Sequence, residues 1–174
     1  MKCLVSIAPY RVEGLDWFGG MDPGNVTEFG WALQGEAVLA AELEREATEM
    51  QERVAVNPSL ILEGFDLSDS DVATLADSRV QDVIRESTAE MFSNGVYGWV
   101  DDDLAFTVAW GFDLAAITVP VEVRYGASDV LAPAAHGKWL VAHIPGAVGN
   151  VESDRGHLPD PDKVIDDLRR LALG

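Results

Sequence analysis

Two side chains near the end of the chain have types and spacing that suit acid–base chemistry. Asp129 follows a short apolar run that ends at Gly126, and His157 follows a second run of the same kind. Residues that come just after neighbouring parallel strands lie at the same edge of a sheet. There a carboxylate holds an imidazole in one tautomer and stabilises its charged form, which leaves the other ring nitrogen as a base. The pattern therefore predicts a base and its orienting acid, although such pairs also arise by chance at strand ends.

The elements around these two residues follow the pattern of a parallel α/β unit. Residues 121–126 are typical of a strand, and residues 134–144 are typical of a helix that ends before Pro145-Gly146. A weaker strand is predicted at 147–151, and Asp160 or Asp162 begins a last amphipathic helix. The order strand, helix, strand, helix is the repeating unit of parallel sheets. The sequence therefore predicts an α/β fold with Asp129 and His157 at one sheet edge.

An earlier apolar run and a long helical stretch complete the chain. Residues 2–8 predict a further buried strand, which Pro9 ends, so about three strands are expected. Thr27 begins a helical pattern that ends before Asn57-Pro58, and another helix is predicted at 79–92. Between them, the run Ser68-Asp69-Ser70-Asp71 is an acidic capping signature for a short helix.

The acidic triplet Asp101-Asp102-Asp103 invites interpretation as a metal site. Successive residues on a helix point about 100° apart, so three in a row do not converge on one ion. The positive end of a helix dipole explains them better, and a helix is predicted to begin there and to run to Trp110. His136 and His143 are two helical turns apart, too far for one zinc ion, and are interpreted as packing or surface residues. No metal and no cofactor is predicted.

Composition limits the classes of partner. The chain has 174 residues and a formal net charge of −18. Such a negative field repels a phosphate backbone and anionic lipid, so neither nucleic acid nor membrane is expected as a partner. No run approaches the ~20 apolar residues that a membrane span needs, and the N-terminus lacks a signal-peptide pattern. A cytoplasmic location is the expectation.

Several segments together resemble one enzyme family. Residues 120–133 read PVEVRYGASDVLAP, residues 136–140 follow on the next helix, and Gly-His-Leu comes at 156–158. This arrangement is similar to the last strands of the α/β-hydrolase superfamily, whose pattern is strand-G-x-x-D-x-x-x-P and then Gly-His-Leu. Residues 96–118 and 8–17 resemble a bacterial subgroup of these hydrolases. The resemblance extends over essentially the whole chain, as the C-terminal half of such an enzyme.

The resemblance implies roles and a domain layout. Asp129 would be the acid and His157 the base of a catalytic triad. Residues 1–10 and 115–174 would form part of a doubly wound parallel sheet, and residues 11–114 would be an inserted helical cap or lid. Trp17 and Trp31 are interpreted mainly as packing residues, with a lesser expectation that one of them lines an acyl-binding pocket.

The departure from the family pattern is equally informative. The nucleophile of these enzymes sits in G-x-S-x-G, and that motif does not occur in this sequence. The nearest serines by context, Ser6, Ser128 and Ser153, lack the required strand-to-helix turn. The His-Gly segment that helps to form the oxyanion hole is missing too. Whether the chain is an enzyme is therefore left open.

Two functional hypotheses follow. The first is a truncated hydrolase whose parent acts on a small ester or lactone and which is inactive alone; its small-molecule substrate would bind only if an N-terminal half completed the site. The alternative is a non-catalytic module that forms homo-oligomers through an exposed sheet edge.

Overall fold

The chain folds as an α/β unit around a small parallel sheet. The computed structural model describes residues 3–5 and 8–173. The strands are Cys3–Val5 (β1), Val121–Gly126 (β2) and Val148–Glu152 (β3), in the order β1-β2-β3 with both pairs parallel. The predicted α/β class is confirmed. Residues 2, 6 and 7 of the predicted first strand lie outside the described part of the chain.

Two helices accompany the sheet. They are Ala134–His143 (α6) and Pro161–Leu173 (α7), close to the predicted bounds. Asp160 accepts hydrogen bonds from the first backbone amides of α7, as its predicted capping role requires. On α6, Gly137 lies directly against the ring of Tyr125, where a Cβ atom would overlap ring atoms. This glycine lets α6 approach β2 closely, although it weakens the helix intrinsically.

The sheet region, which we define as β1–β3 with α6 and α7, has a small apolar core. Val121 and Val123 of β2 pack there with Leu140 of α6 and Ile144. A buried ionic cluster lies beside this core. Arg124 is only 9% exposed, and its guanidinium lies 2.6 Å from the Asp167 carboxylate and 3.4 Å from that of Glu152.

Five α-helices lie between β1 and β2. They are Pro23–Ala32 (α1), Glu36–Val56 (α2), Asp69–Leu75 (α3), Ser78–Met91 (α4) and Tyr97–Thr107 (α5). We call residues 11–114 the helical region. Its core is larger than that of the sheet region, with buried residues at Trp17, Met21, Phe29, Ala32, Leu39, Ala40, Leu43, Ala47, Val96 and Val100. Over the described residues, no helix combines the length and the apolar character needed to cross a membrane.

The prediction of one continuous helix from Thr27 to the residue before Asn57 is wrong, although its predicted end agrees with the end of α2 at Val56. The structure has two helices there, α1 and α2, joined at Gly35 with φ 106°. That conformation is accessible to glycine and strained for other residues, so the chain turns at this point. The apolar spacing continued across the break and concealed it.

The predicted role of the acidic triplet is also wrong. Helix α5 begins at Tyr97, so Asp101–Asp103 lie within it rather than at its N-terminus. Asp103 is buried close to Glu28 of α1, and Glu28 accepts a hydrogen bond from Trp99 Nε1 at 3.0 Å. Burial raises the pKa of Asp103 to about 8, and the nearby Glu28 carboxyl adds to the effect. One acid of the triplet is thus part of the helical core.

Candidate active site

Asp129 and His157 lie in direct contact, in the turns that follow β2 and β3. His157 Nδ1 is 3.0 Å from Asp129 Oδ2 and 3.2 Å from Oδ1. The carboxylate is itself held in place, because Oδ1 accepts hydrogen bonds from the backbone amides of Leu131 at 2.9 Å and Ala132 at 2.8 Å. Since Nδ1 faces the acid, Nε2 is the nitrogen oriented to exchange a proton.

The surroundings of His157 favour its charged form. Partial burial lowers the pKa of the imidazole, but the hydrogen bond to Asp129 and the negative charges of Asp129 and Asp71 raise it, and they prevail. The pKa of His157 therefore lies above its ordinary value. The Asp129 side chain is 8% exposed and that of His157 is 40% exposed, so the acid is shielded while the ring remains accessible.

The turn after β2, residues 127–132, carries Asp129 and is called the acid turn; the turn after β3, residues 153–158, carries His157 and is called the histidine turn. Backbone hydrogen bonds join the two turns. Ala127 N–H donates to the Glu152 carbonyl, and Ser128 N–H donates to the Arg155 carbonyl, both at 2.9 Å. A Cβ atom at Gly126 would overlap the carbonyl oxygens of Arg155 and Gly156. The glycine of the G-x-x-D pattern is thus required because the histidine turn passes directly over it.

A cavity of about 310 Å³ opens beside the pair, with a largely apolar wall. Trp17, Phe29 and Phe106 of the helical region contribute to it, together with Leu131 and Leu158 of the two turns. The described residues that line it include no serine, threonine or cysteine. Ser128 lies in the turn before Asp129 and lines a different surface depression, Ser153 is exposed beyond β3, and Ser6 lies outside the described residues.

The two predicted tryptophans occupy different places. Trp17 lines the cavity but is only 3% exposed; its Nε1 donates to the Pro9 carbonyl at 2.8 Å. Trp31 does not line this cavity and contributes instead to a second one of about 490 Å³. Both Trp31 and Phe29 are on α1, and positions two apart on a helix point about 200° apart, so the two rings face different sides.

His136 is a residue of the cavity wall whose place the sequence did not reveal. Its ring stacks on Trp17 with centroids 5.0 Å apart, and Nε2 lies 2.7 Å from the Trp17 carbonyl oxygen. Burial lowers the pKa of His136 and outweighs the opposing effect of that hydrogen bond. The ring is therefore neutral at pH 7 and donates through Nε2–H. His143 is exposed and stacks on Trp139, so the interpretation of both as packing or surface residues agrees with their positions.

The helical region also contacts the acid turn directly. Asp22 N–H donates to the Val130 carbonyl at 2.8 Å, and Asn25 Nδ2 donates to the Leu131 carbonyl at 3.0 Å. Asp22 further caps α1 by accepting from Gly24 N–H. The start of α1 is thereby fixed to the turn that carries Asp129. The asparagine gave no signal in the sequence, because its partner is 106 residues away.

The histidine turn is bound to the helical region at a second place. Ser70 and Asp71 of α3 accept hydrogen bonds from the backbone amides of Gly156 and Leu158. In the sequence, these α3 residues show only the signature of a helix cap. No group of three or more histidine, cysteine, aspartate or glutamate side chains suited to a metal ion occurs in the described part of the chain.

Comparison with known proteins supports the fold. No model of a protein family matches the sequence, and neither does any curated protein. A bromoperoxidase from Bacillus anthracis matches with a TM-score of 0.53 and 18% identity, over 78% of this chain and 47% of that one. Est816, described as an N-acyl homoserine lactone degrading enzyme, matches with a TM-score of 0.50 and 19% identity, over 97% and 57%.

These likenesses relate the chain in fold to the α/β hydrolases. The chain spans about half the length of the solved structures that it matches. Both identities are below 20%, so the comparisons show a similar backbone fold only. The activity has to be inferred from the residues of the site.

Proposed function

We propose that this chain supplies the acid and the histidine of a serine-type hydrolase site, and that residues outside the chain supply the nucleophile and the oxyanion hole. The observation that carries the proposal is the 3.0 Å contact between His157 Nδ1 and Asp129 Oδ2, at the carboxyl ends of adjacent parallel strands. The apolar cavity beside the pair and the fold of the structural neighbours support it.

The proposed chemistry follows from the orientation of the ring. Nε2 of His157 takes the proton of a serine hydroxyl as that oxygen attacks the ester or lactone carbonyl, and Asp129 stabilises the resulting imidazolium. The same proton then goes to the departing alkoxide oxygen, which leaves an acyl-serine. Water, deprotonated by His157 in the same way, attacks the acyl group and releases the acid and the free serine.

The substrate is proposed to be a small ester or lactone. A cavity of about 310 Å³ with aromatic walls suits a short apolar acyl group. Trp17, Phe29 and Phe106 would contact this group, and all three come from the helical region. We accordingly propose that the helical region is a cap over the site. The lactone-degrading description of one structural neighbour supports the substrate class.

We further propose that the chain alone has no appreciable turnover. Loss of a triad member lowers turnover by ~10⁴-fold to 10⁶-fold, and loss of one oxyanion donor costs another ~10²-fold to 10³-fold. Incubation with a fluorophosphonate, followed by intact mass measurement, is expected to leave the chain unlabelled. A stoichiometric adduct on one of its serines would show that a nucleophile is present after all.

A positive test restores the proposed missing part. That part is a segment that carries the G-x-S-x-G motif and the His-Gly segment of the oxyanion hole. Produced together with that segment, the chain should support fluorophosphonate labelling of the motif serine. His157→Gln should abolish the labelling, whereas His143→Gln, at an exposed histidine away from the cavity, should retain it. Equal labelling of the two variants would contradict the role of His157.

A second candidate function is a non-catalytic module that forms homo-oligomers. It is favoured by the exposure of Val148 and Val151, which are 64% and 52% accessible on β3 at the edge of the described sheet. An apolar edge strand with unpaired backbone groups is a template for another chain. Light scattering should then give a stable oligomer, and Val148→Lys should dissociate it. A monodisperse monomer would eliminate this candidate.

A further inference from the structure

The two backbone amides that flank His157 are both bound by α3 of the helical region. Gly156 N–H donates to Ser70 Oγ at 2.9 Å, and Leu158 N–H donates to Asp71 Oδ1 at 2.7 Å. His157 itself contacts Asp129 through its ring. The acid therefore fixes the imidazole, while α3 fixes the backbone on which the imidazole is carried.

Asp71 is an unusual residue to find in this position. Its relative exposure is 0%, and the described residues place no basic side chain within 4 Å of it. A buried carboxylate without an ion pair is costly unless hydrogen-bond donors surround it. Its donors are the Leu158 amide and the Ser68 hydroxyl, the latter at 2.9 Å from Oδ2. One of these two donors, the Leu158 amide, thus belongs to the histidine turn.

The local sequence would normally use this carboxylate differently. Ser68 caps α3 by accepting from Asp71 N–H at 3.2 Å, which is one half of a capping box. In the complete box, the acid at the third helical position accepts from the backbone amide of the cap residue. Here the Asp71 carboxylate accepts instead from Leu158, 87 residues along the chain. The side chain thus serves a tertiary contact in place of a local one.

The fit between α3 and the histidine turn is close enough to require a glycine. A Cβ atom at Gly156 would overlap Asp71 Oδ2 and Ser68 Oγ. The Gly-His-Leu segment therefore packs its backbone directly on the carboxylate of α3. Arg155 adds a longer contact from its guanidinium to Thr74 Oγ1 at 3.4 Å.

We propose that Asp71 is a positioning residue for His157, through which the helical region sets the place and the charge state of the base. The proposal rests on the proposed function insofar as His157 is the base. Asp71 touches no reacting atom; it acts through the Leu158 amide and through its negative charge near the imidazole. The same charge helps to raise the pKa of His157.

The test compares two acids of the same helix. Asp71→Asn removes the charge but keeps an oxygen that accepts from Leu158, and Asp71→Ala removes both. Asp69→Asn is the matched control. Asp69 is an exposed acid in the first turn of α3, and its substitution changes the net charge by the same amount as Asp71→Asn. Each protein is titrated by NMR with labelled histidine, and amide hydrogen exchange is measured at Gly156 and Leu158.

Both Asp71 variants are expected to lower the pKa of His157 relative to the wild type, and Asp69→Asn to leave it in place. Exchange at Leu158 should be at least about tenfold faster in Asp71→Ala, with substantial rescue in Asp71→Asn, since the amide oxygen still accepts. Ser70→Ala should speed exchange at Gly156 and leave the His157 titration near that of the wild type.

Two results would overturn the inference. One is a His157 titration in Asp71→Asn that coincides with that of Asp69→Asn. The other is Leu158 exchange in Asp71→Ala that equals the wild-type rate. Neither readout depends on turnover. The labelling experiment can therefore contradict the hydrolase role while the coupling of Asp71 to His157 is still observed. Equally, the labelling can succeed while this coupling is absent.

Discussion

The helical region and the sheet region are stabilised in different ways. The helical region buries apolar side chains from three helices and the Trp17 loop around Leu39, Leu43 and Val100, each with 0% exposure. The sheet region buries fewer apolar residues among those whose side chains are described, and it holds Arg124 in a shared cluster of acids. Strand β3 remains largely exposed.

The difference shows which part of the molecule depends on the other. The helical region has an enclosed core of its own, while the two turns that carry the candidate site lie on the thin sheet region. Besides the hydrogen bonds between them, these turns are hydrogen-bonded to α1 and α3, through Asn25, Ser70 and Asp71. The helical region is therefore a support for the site as well as a wall of its cavity.

A large expected effect concerns the ionic cluster. Arg124→Met should cost about 3 kcal/mol of unfolding free energy, because it removes the cation that links the buried acids Glu152 and Asp167. Lys163 remains as a partner of Glu152, and Arg170 remains as a partner of Asp167. Arg85→Met is the control at an exposed i,i+3 pair with Asp82 and should stay within about 0.5 kcal/mol. Urea denaturation measures both. Similar costs for the two would mean that the cluster does not stabilise the sheet region.

The same substitution in the two cores sharpens the comparison. Leu43→Ala should lower the free energy of unfolding by about 4–5 kcal/mol, since the residues around Leu43 enclose on all sides the space that the removed side chain leaves. Leu140→Ala should cost about 2–3 kcal/mol, because the thinner sheet core is able to close around the gap. Thermal and urea unfolding of both variants decide the order. A larger loss for Leu140 would reverse our view of which region is better packed.

A pH dependence is expected from the helical core. Between about pH 4 and pH 8 the folded state keeps a proton on Asp103 that the unfolded chain has lost, so stability falls as pH rises through this window. Asp103→Asn removes the effect and should be more stable than the wild type by about 1–3 kcal/mol at pH 8. Asp101→Asn, at an exposed position of α5, should not gain comparably in urea titrations at pH 5 and pH 8.

The smallest change in stability is expected at the site. Asp129→Asn keeps an oxygen for the Leu131 and Ala132 amides, but it removes the charge that raises the pKa of His157. The stabilisation from this pair is fully present below the ordinary pKa of histidine and is lost as pH rises through the raised value. NMR titration should therefore give a lower pKa for His157 in the variant. An unchanged titration would mean that Asp129 does not orient the base.

Part of this protein could be predicted from its sequence alone. The run 121–126, its glycine and the acid three residues later predicted both the strand β2 and the position of Asp129, because strand and turn preferences are local. His157 was predicted to meet Asp129 since parallel strands end at a common edge, and the two side chains are in contact.

The tertiary structure alone decided the rest. Gly35 breaks a helix whose apolar spacing continues on both sides of it, and Asp103 is a buried acid where a capping acid was expected. Asp71 carries a capping signature in the sequence, yet its carboxylate binds the amide of Leu158. Periodicity and capping rules describe a chain over a few turns, whereas these partners lie tens of residues apart and are brought together only by packing.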